Sequence, residues 1–368
     1  MTLIQFTLKN LSRRPTRTVL TVLGIGVGIG AVVALMGMAR GLNQSWNDAY
    51  KARGTDLVVR NAGGGLMAQP FDEKSIDGIR KVPGVAAAAN LLTEFLSVEQ
   101  ASGLVVSGRE WGSFLWDSLN IVEGRKPRDA AEKAVVLGTL AAESLHKKPG
   151  DTVTLEVEEF TVVGIADGKA VVENGSIFLA LPHLQKIMQK ENKVNFVNVR
   201  LAGDARLESV QAALRKKFPA YRVDTAADVT SQNDAVKMFE AMNWGTSAIA
   251  MLVGTFGVMN TMFMSVTERT REIGILIALG WRRSRILRMI LLESIALCAG
   301  AGILGVIFGI LLLKVLAVTP FLSGKLEPYI GLDLSAFAFG LALVVGLFSG
   351  LAPALHCTKI NPSMALRQ

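Results

Sequence analysis

The sequence is short of cysteine and histidine, the residue types that most often carry cross-links and metal ligands. Two cysteines, Cys298 and Cys357, fall inside and at the end of apolar runs, so they are not expected to pair, and the polar middle of the chain has none. Three histidines, His146, His183 and His356, are scattered without HExxH or comparable spacing, which gives no metal-ligand pattern. No GxxxxGK[ST] phosphate loop and no GxSxG nucleophile elbow occur. The triple glycine at 63–65 reads as a turn instead of a phosphate cradle. Nothing in this inventory points to an enzyme, a resident cofactor or a bound metal.

Long apolar runs, by contrast, are plentiful. Half of the 368 residues are hydrophobic, yet 19% are charged, and the mean hydropathy is +0.38. That mixture suits a membrane protein with a large soluble part. Crossing about 30 Å of hydrocarbon takes about 20 uncharged helical residues, and four spans are read, 18–39, 244–266, 293–313 and 334–355, the charge-free run of the third beginning at Ser294. Between the first two lies a polar domain, 40–243; between the last two, a short loop, 314–333.

The net charge of +8 could signal nucleic-acid binding, but its location argues otherwise. Residues 40–243 hold about 25 Lys/Arg against 26 Asp/Glu, so there is no basic stripe for a phosphate backbone. The excess sits at the membrane ends: Lys9, Arg13, Arg14 and Arg17 before the first run, six arginines between the second and third, and Lys359 and Arg367 after the last. The positive-inside rule makes these segments cytoplasmic, which places both termini inside and the 40–243 domain outside.

Segment 1–17 places Ile4, Leu8 and Leu11 on one helical face and reads as an amphipathic helix at the inner surface, broken at Pro15. A cleaved signal peptide is the competing reading, but its apolar core is usually about 7–15 residues long. In the first run, Gly24 with Gly28 and Gly26 with Gly30 form small-xxx-small pairs suited to close helix contact. The outer domain reads as α+β. Strand Thr55–Asn61, helix Asp72–Val82 and strand Val85–Ala89 recur late as strand Phe196–Leu201, helix Ala205–Phe218 and strand Tyr221–Asp224. A β-rich insert lies between, with Thr152–Val157 and Phe160–Ile165 expected to pair across Glu158-Glu159. Gly41–Arg53 and Asp228–Met242 are expected to extend the flanking spans as helical stalks.

The stretch 267–292, TERTREIGILIALGWRRSRILRMILL, is too charged to span and too apolar to float free. It predicts a helical elbow at the cytoplasmic surface. Glu293 is the candidate intramembrane polar site. The bland alternative is an interfacial carboxylate paired with Arg288 or Arg285.

ERTREIGILIALGWRRSRILRMILLESIAL and the closing ALHCTKINPSMALR resemble the permease core of the FtsX/MacB family, the type VII ABC transporters. Val82-Pro83-Gly84-Val85, Glu123-Gly124-Arg125, Lys148-Pro149-Gly150-Asp151 and Phe160-Thr161-Val162-Val163-Gly164 are similar to the MacB-type periplasmic core domain. The resemblance implies a four-helix membrane protein with a two-part α+β extracytoplasmic domain, in the bacterial inner membrane. It implies a non-catalytic permease subunit of an export system, with ATP and Mg held by a separate ABC ATPase, because no ATPase is present on this chain. It implies a second permease chain, identical or different, and admits a periplasmic membrane-fusion protein and an outer-membrane channel as further partners. In the family the elbow is the coupling helix. Carried over, Glu268, Arg269, Arg271 and Glu272 supply polar contacts to the ATPase, Ile273, Ile275, Leu276 and Leu279 seat the elbow, and Gly274 and Gly280 allow close approach or a bend. Two other readings stay open: an FtsX-type regulator of an extracytoplasmic partner such as a cell-wall hydrolase, or a lipoprotein-release permease; a sensory receptor is the remaining rival. On residues alone, the arginines could equally be an anchor to anionic lipid, worth about 1 kcal/mol each near the surface.

Overall fold

The computed structural model describes residues 15–61, 68–99, 101–231, 234–317, 319 and 328–358. The expected helix at 1–14, the glycine turn at 63–65 and the tail beyond 358 lie outside the described residues. The chain divides into two compact units, a helical one and one built mainly from residues 38–239.

Among the described residues, four helices are long and apolar enough to cross a membrane: Thr18–Arg53, Ala241–Glu268, Arg283–Ala317 and Leu332–Thr358. Each runs past the expected span. The first is one uninterrupted helix, Pro15–Arg53, and the second belongs to helix Asp234–Glu268, so both stalks form as helical continuations. Ala226–Ser231, upstream of the second, is helical as well, and residues 232–233 between them lie outside the described residues. Within the helical unit the glycines let backbones touch. A Cβ on Gly305 would sit 2.8 Å from the Gly26 carbonyl oxygen, and one on Gly309 2.7 Å from that of Gly30. The Gly26/Gly30 pair therefore packs against the third span, whereas a Cβ on Gly24 would meet nothing within 4 Å. Cys298 and Cys357 are buried free thiols.

The outer unit is built on strands β1 (Leu57–Asn61), β2 (Phe71–Asp72), β3 (Val85–Val98), β4 (Ala101–Arg109), β5 (Asn120–Gly124), β6 (Ala134–Gly138), β7 (Thr152–Leu155), β8 (Glu158–Asp167), β9 (Ser176–Ala180), β10 (Lys193–Val194), β11 (Phe196–Leu201) and β12 (Tyr221–Thr225). Ten of them make one sheet in the order β12-β1-β11-β3-β4-β9-β6-β8-β5, with β7 on β8. The base strands from both ends of the domain and the inserted strands thus share one sheet, joined where the long β3 pairs with β4. Val59, Leu92, Val106, Leu137, Val162, Ile177 and Val199 line its main core, against which helix Leu207–Lys217 sets Val210 and Leu214.

Two expectations are corrected. Asp72–Val82 is not an α-helix but two short 3-10 turns, Glu73–Ile76 and Ile79–Lys81. Asp72 caps the first by accepting from the Lys74 N–H, and Gly78 separates it from the second. The β7–β8 hairpin turns at Glu156-Val157, since Leu155 pairs with Glu158. Glu156 takes the left-handed φ of 56° that the tight turn needs.

Candidate coupling site and the outer charge cluster

Of the stretch 267–292, the first part forms a short separate helix, and from Arg283 onward it already belongs to the third long helix. Helix Asp234–Glu268 ends, Arg269 leaves helical geometry at φ −108° and ψ 12°, and a nine-residue helix, Thr270–Ala278, comes next. Gly280, at φ +86°, then makes the reversal into helix Arg283–Ala317. Few side chains adopt that φ, so the bend argument for Gly280 rests on its backbone.

Periodicity divides the elbow into two faces. Ile273 and Gly274 are buried and Leu276 is half-buried, which seats the helix on its neighbours. Arg271 and Glu272 are exposed, and so are two large apolar residues, Ile275 at 43% and Leu279 at 74%. The last two do not seat the elbow as expected; they lie one turn apart on the outward face. Glu268 at the preceding helix end is exposed too. Arg282, Arg283, Arg285 and Arg288 add a cationic rim, with Arg285 stacked 4.5 Å over the Trp281 ring.

Arg269 behaves differently from the other arginines. Its Nη1 lies 3.3 Å from Glu293 Oε1, with the two side chains only 19% and 8% exposed. Glu293 is therefore an ion-paired carboxylate, but its partner comes from the elbow and not from Arg285 or Arg288 on its own helix. Arg269 tethers the elbow to the third span through this single ion pair and is not part of the outward face. Met262, Ile273, Leu276, Met289 and Ile290 line the small cleft around the pair.

Sequence reasoning missed the outer unit's buried charge cluster. Arg53 closes the long first helix, Arg109 ends β4, and Glu173 lies on the short helix Val171–Asn174. All three are essentially inaccessible. Arg53 presents Nε at 2.7 Å and Nη2 at 2.6 Å to Glu173 Oε1, while Arg109 Nη2 meets Oε2 at 2.5 Å. Arg109 Nη1 also donates to the Leu115 carbonyl, and its guanidinium stacks 4.3 Å over Phe178. Burial alone would raise the Glu173 pKa, but the two guanidiniums outweigh it and hold the carboxyl below its ordinary value. Burial lowers Arg109 to about 10, which leaves it charged at neutral pH. Arg200 completes the joint by donating to the backbone carbonyls of Arg53 and Gly54 at 3.0 Å each.

Among the described residues no group of three or more His, Cys, Asp or Glu is placed to hold a metal. The residues named here suit packing and charge recognition.

Two family models match the chain. Residues 18–217 match the MacB-like periplasmic core domain and residues 244–362 the FtsX-like permease C-terminal domain. An uncharacterized ABC transporter permease of Methanocaldococcus jannaschii is 30% identical, covering 99% of this chain and 97% of its own. The macrolide export ATP-binding/permease protein MacB of Nitrobacter winogradskyi is 27% identical over 97% of this chain, which spans 58% of that relative's length. Among solved structures, the periplasmic region of MacB from Actinobacillus actinomycetemcomitans covers 50% of the chain with a TM-score of 0.39 and 13% identity.

Proposed function

We propose that this chain, which belongs to the MacB/FtsX family of ABC transporter permeases, is the membrane subunit of an export system driven by a separate ABC ATPase. The elbow helix Thr270–Ala278 receives the ATPase on the cytoplasmic side. Nucleotide binding draws the elbows of two permease chains together, and the stalk helices pass that displacement to the outer domains. ATP and Mg reside on the ATPase, and this chain contributes no catalytic group. The membrane is the bacterial inner membrane, with both termini cytoplasmic.

The observation that carries this reading is the outward face of the elbow. Exposed Arg271 and Glu272 beside exposed Ile275 and Leu279 combine charge with a compact apolar anchor. Protein interfaces use that combination: apolar anchors supply affinity and the charged rim sets register. A lipid anchor needs cations over an apolar underside and has no use for Glu268 and Glu272 on its exposed side.

Reversing charge with Glu268→Arg and Arg271→Glu tests the docking role. The exposed positions make misfolding a minor concern. Co-purification with the ATPase and permease-dependent ATP hydrolysis should each fall by about tenfold or more, equivalent to about 1.4 kcal/mol of lost coupling. Unchanged co-purification and activity would refute docking through this face.

A further inference from the structure

The helical unit is packed unevenly. Every close approach below 3 Å that a notional glycine Cβ would make between its spans involves the third span. Gly305 and Gly309 meet Gly26, Ile29, Gly30 and Val33 of the first span; Gly302 would lie 2.8 Å from Ala342, Gly346 2.9 Å from Cys298 and Gly350 2.7 Å from Ser294. Hydroxyls reinforce the seam between spans three and four, where Ser294 Oγ donates to the Gly346 carbonyl at 2.6 Å and lies 3.1 Å from Ser349 Oγ.

The second span makes no such close approach among the described residues, although Val258, Met262 and Val266 on it are buried by side-chain contacts. A Cβ on Gly245 or Gly257 would meet nothing within 4 Å, and one on Gly254 would reach Val345 only at 3.9 Å. A small apolar cleft lined by Gly28, Val32, Ala250, Gly254 and Val345 lies beside it, and a Cβ on Gly28 would sit 3.7 Å from Ala250. In its most apolar window 17% of residues are buried, against 33–39% in the other three. Polar tethers reach across instead: Thr21 and Thr261 hydroxyls 3.1 Å apart, Asn243 Nδ2 to the Leu35 carbonyl at 3.5 Å, and Arg269 to Glu293.

Backbones in van der Waals contact through glycine interlock, because any slide drives atoms up a steep repulsive wall. Across side-chain contacts at ordinary van der Waals distance, such as the 3.7 Å between a Cβ on Gly28 and Ala250, that wall is shallower, and a few tethers can re-form after a small shear. We propose that spans one, three and four form one rigid body, and that span two with the elbow is a lever that shears against it, hinged at Gly280. This deepens, and rests on, the force-transmitting role proposed above, since it names the element that moves first.

Distances between spin labels test it in the full chain in lipid vesicles, with Cys298 and Cys357 replaced by Ala and labelled chains diluted in unlabelled ones. Labels go at exposed Leu23, Leu252, Ile303 and Val344, one pair at a time. The 23–303 and 303–344 pairs should give single narrow distances, and the 252–303 pair a broad or double one. With the ATPase bound, nucleotide should shift only the 252–303 pair, by about 2 Å as sheared helices do. A Thr21→Cys/Thr261→Cys disulfide should narrow the 252–303 distribution to match the others. Equal widths for all three pairs, or a broad 23–303 pair, would overturn the lever. A broad 252–303 pair that ignores nucleotide would leave the lever standing and sink force transmission alone.

Discussion

Glu173 carries the most severe single perturbation in the outer unit. Glu173→Gln keeps the shape and removes the charge, leaving Arg53 and Arg109 as buried cations without a counter-ion. Removing one partner of a buried ion pair costs about 3–5 kcal/mol. At 1.36 kcal/mol per decade, that is roughly a 10²- to 10⁴-fold rise in the open population of the outer unit. Hydrogen exchange on the full-length protein reads it directly, because amides of β4 and β9 exchange only when that unit opens. The apolar replacement Arg53→Met/Glu173→Leu/Arg109→Met should recover most of the loss. Recovery should stop short by about 1–3 kcal/mol, since the Leu115 carbonyl would keep no donor from Arg109. Acid gives an independent reading. The folded Glu173 pKa lies below its ordinary value of 4.5, so its contribution is present above about pH 4.5 and is lost as pH falls through the folded value. Protection in the natural chain should therefore decline in acid, and the Glu173→Gln chain should show a flatter curve. Exchange within tenfold of the natural chain at neutral pH would refute the cluster's structural role.

Three further outcomes rest on particular contacts. Gly305→Ala places a Cβ 2.8 Å from the Gly26 carbonyl oxygen and should destabilise by about 1–3 kcal/mol, whereas Gly257→Ala, with nothing within 4 Å, should be neutral; thermal unfolding in detergent compares them. The Glu132 carboxyl, held down to about 2 chiefly by its hydrogen bonds from Arg125 and also by the Arg128 N–H, should order the 125–132 loop above about pH 4.5 and release it as pH falls toward 2, seen as faster exchange of that loop alone. A cysteine at Gly150 should react with an impermeant reagent added outside the cell and one at Trp281 should not; the reverse pattern would invert the proposed topology.

Legibility in the sequence depended on local signals. Length and composition of the four apolar runs were enough to place the long helices, because a helix in lipid must satisfy its backbone internally. Gly26 and Gly30 were legible as a contact pair, though not which helix they touch. The 72–82 segment misled because Ile76, Ile79 and Val82 have helical spacing, while the Asp72 cap and Gly78 fit shorter turns. Glu158-Glu159 looked like a hairpin tip; in the structure Glu158 lies in β8, reaching Lys133 at 3.1 Å and Lys186 at 2.9 Å. The Arg53–Glu173–Arg109 cluster was invisible because its members lie on three distant elements, each in an ordinary local context. Glu293 stood out, but its partner did not. Positions five and eight residues earlier on one helix, Arg288 and Arg285, are rotated about 140° and 80° from its face, so a partner from another element was the better geometric choice.

The first helix ties these observations to a mechanical argument. Its 39 residues make a rod about 58 Å long at 1.5 Å per residue, nearly twice the hydrocarbon thickness. Each half of it is held separately. Gly26 and Gly30 interlock its membrane half with the third span. At its other end, Arg53 donates through Nε to one Glu173 carboxylate oxygen and pairs with its charge, and Arg200 holds the carbonyls of Arg53 and Gly54. Both attachments resist sliding because each needs a fixed register along the axis. The second stalk lacks the equivalent glycine seam within the membrane. On the lever reading, the first helix is therefore held in register within the membrane, whereas the second is free to shift there.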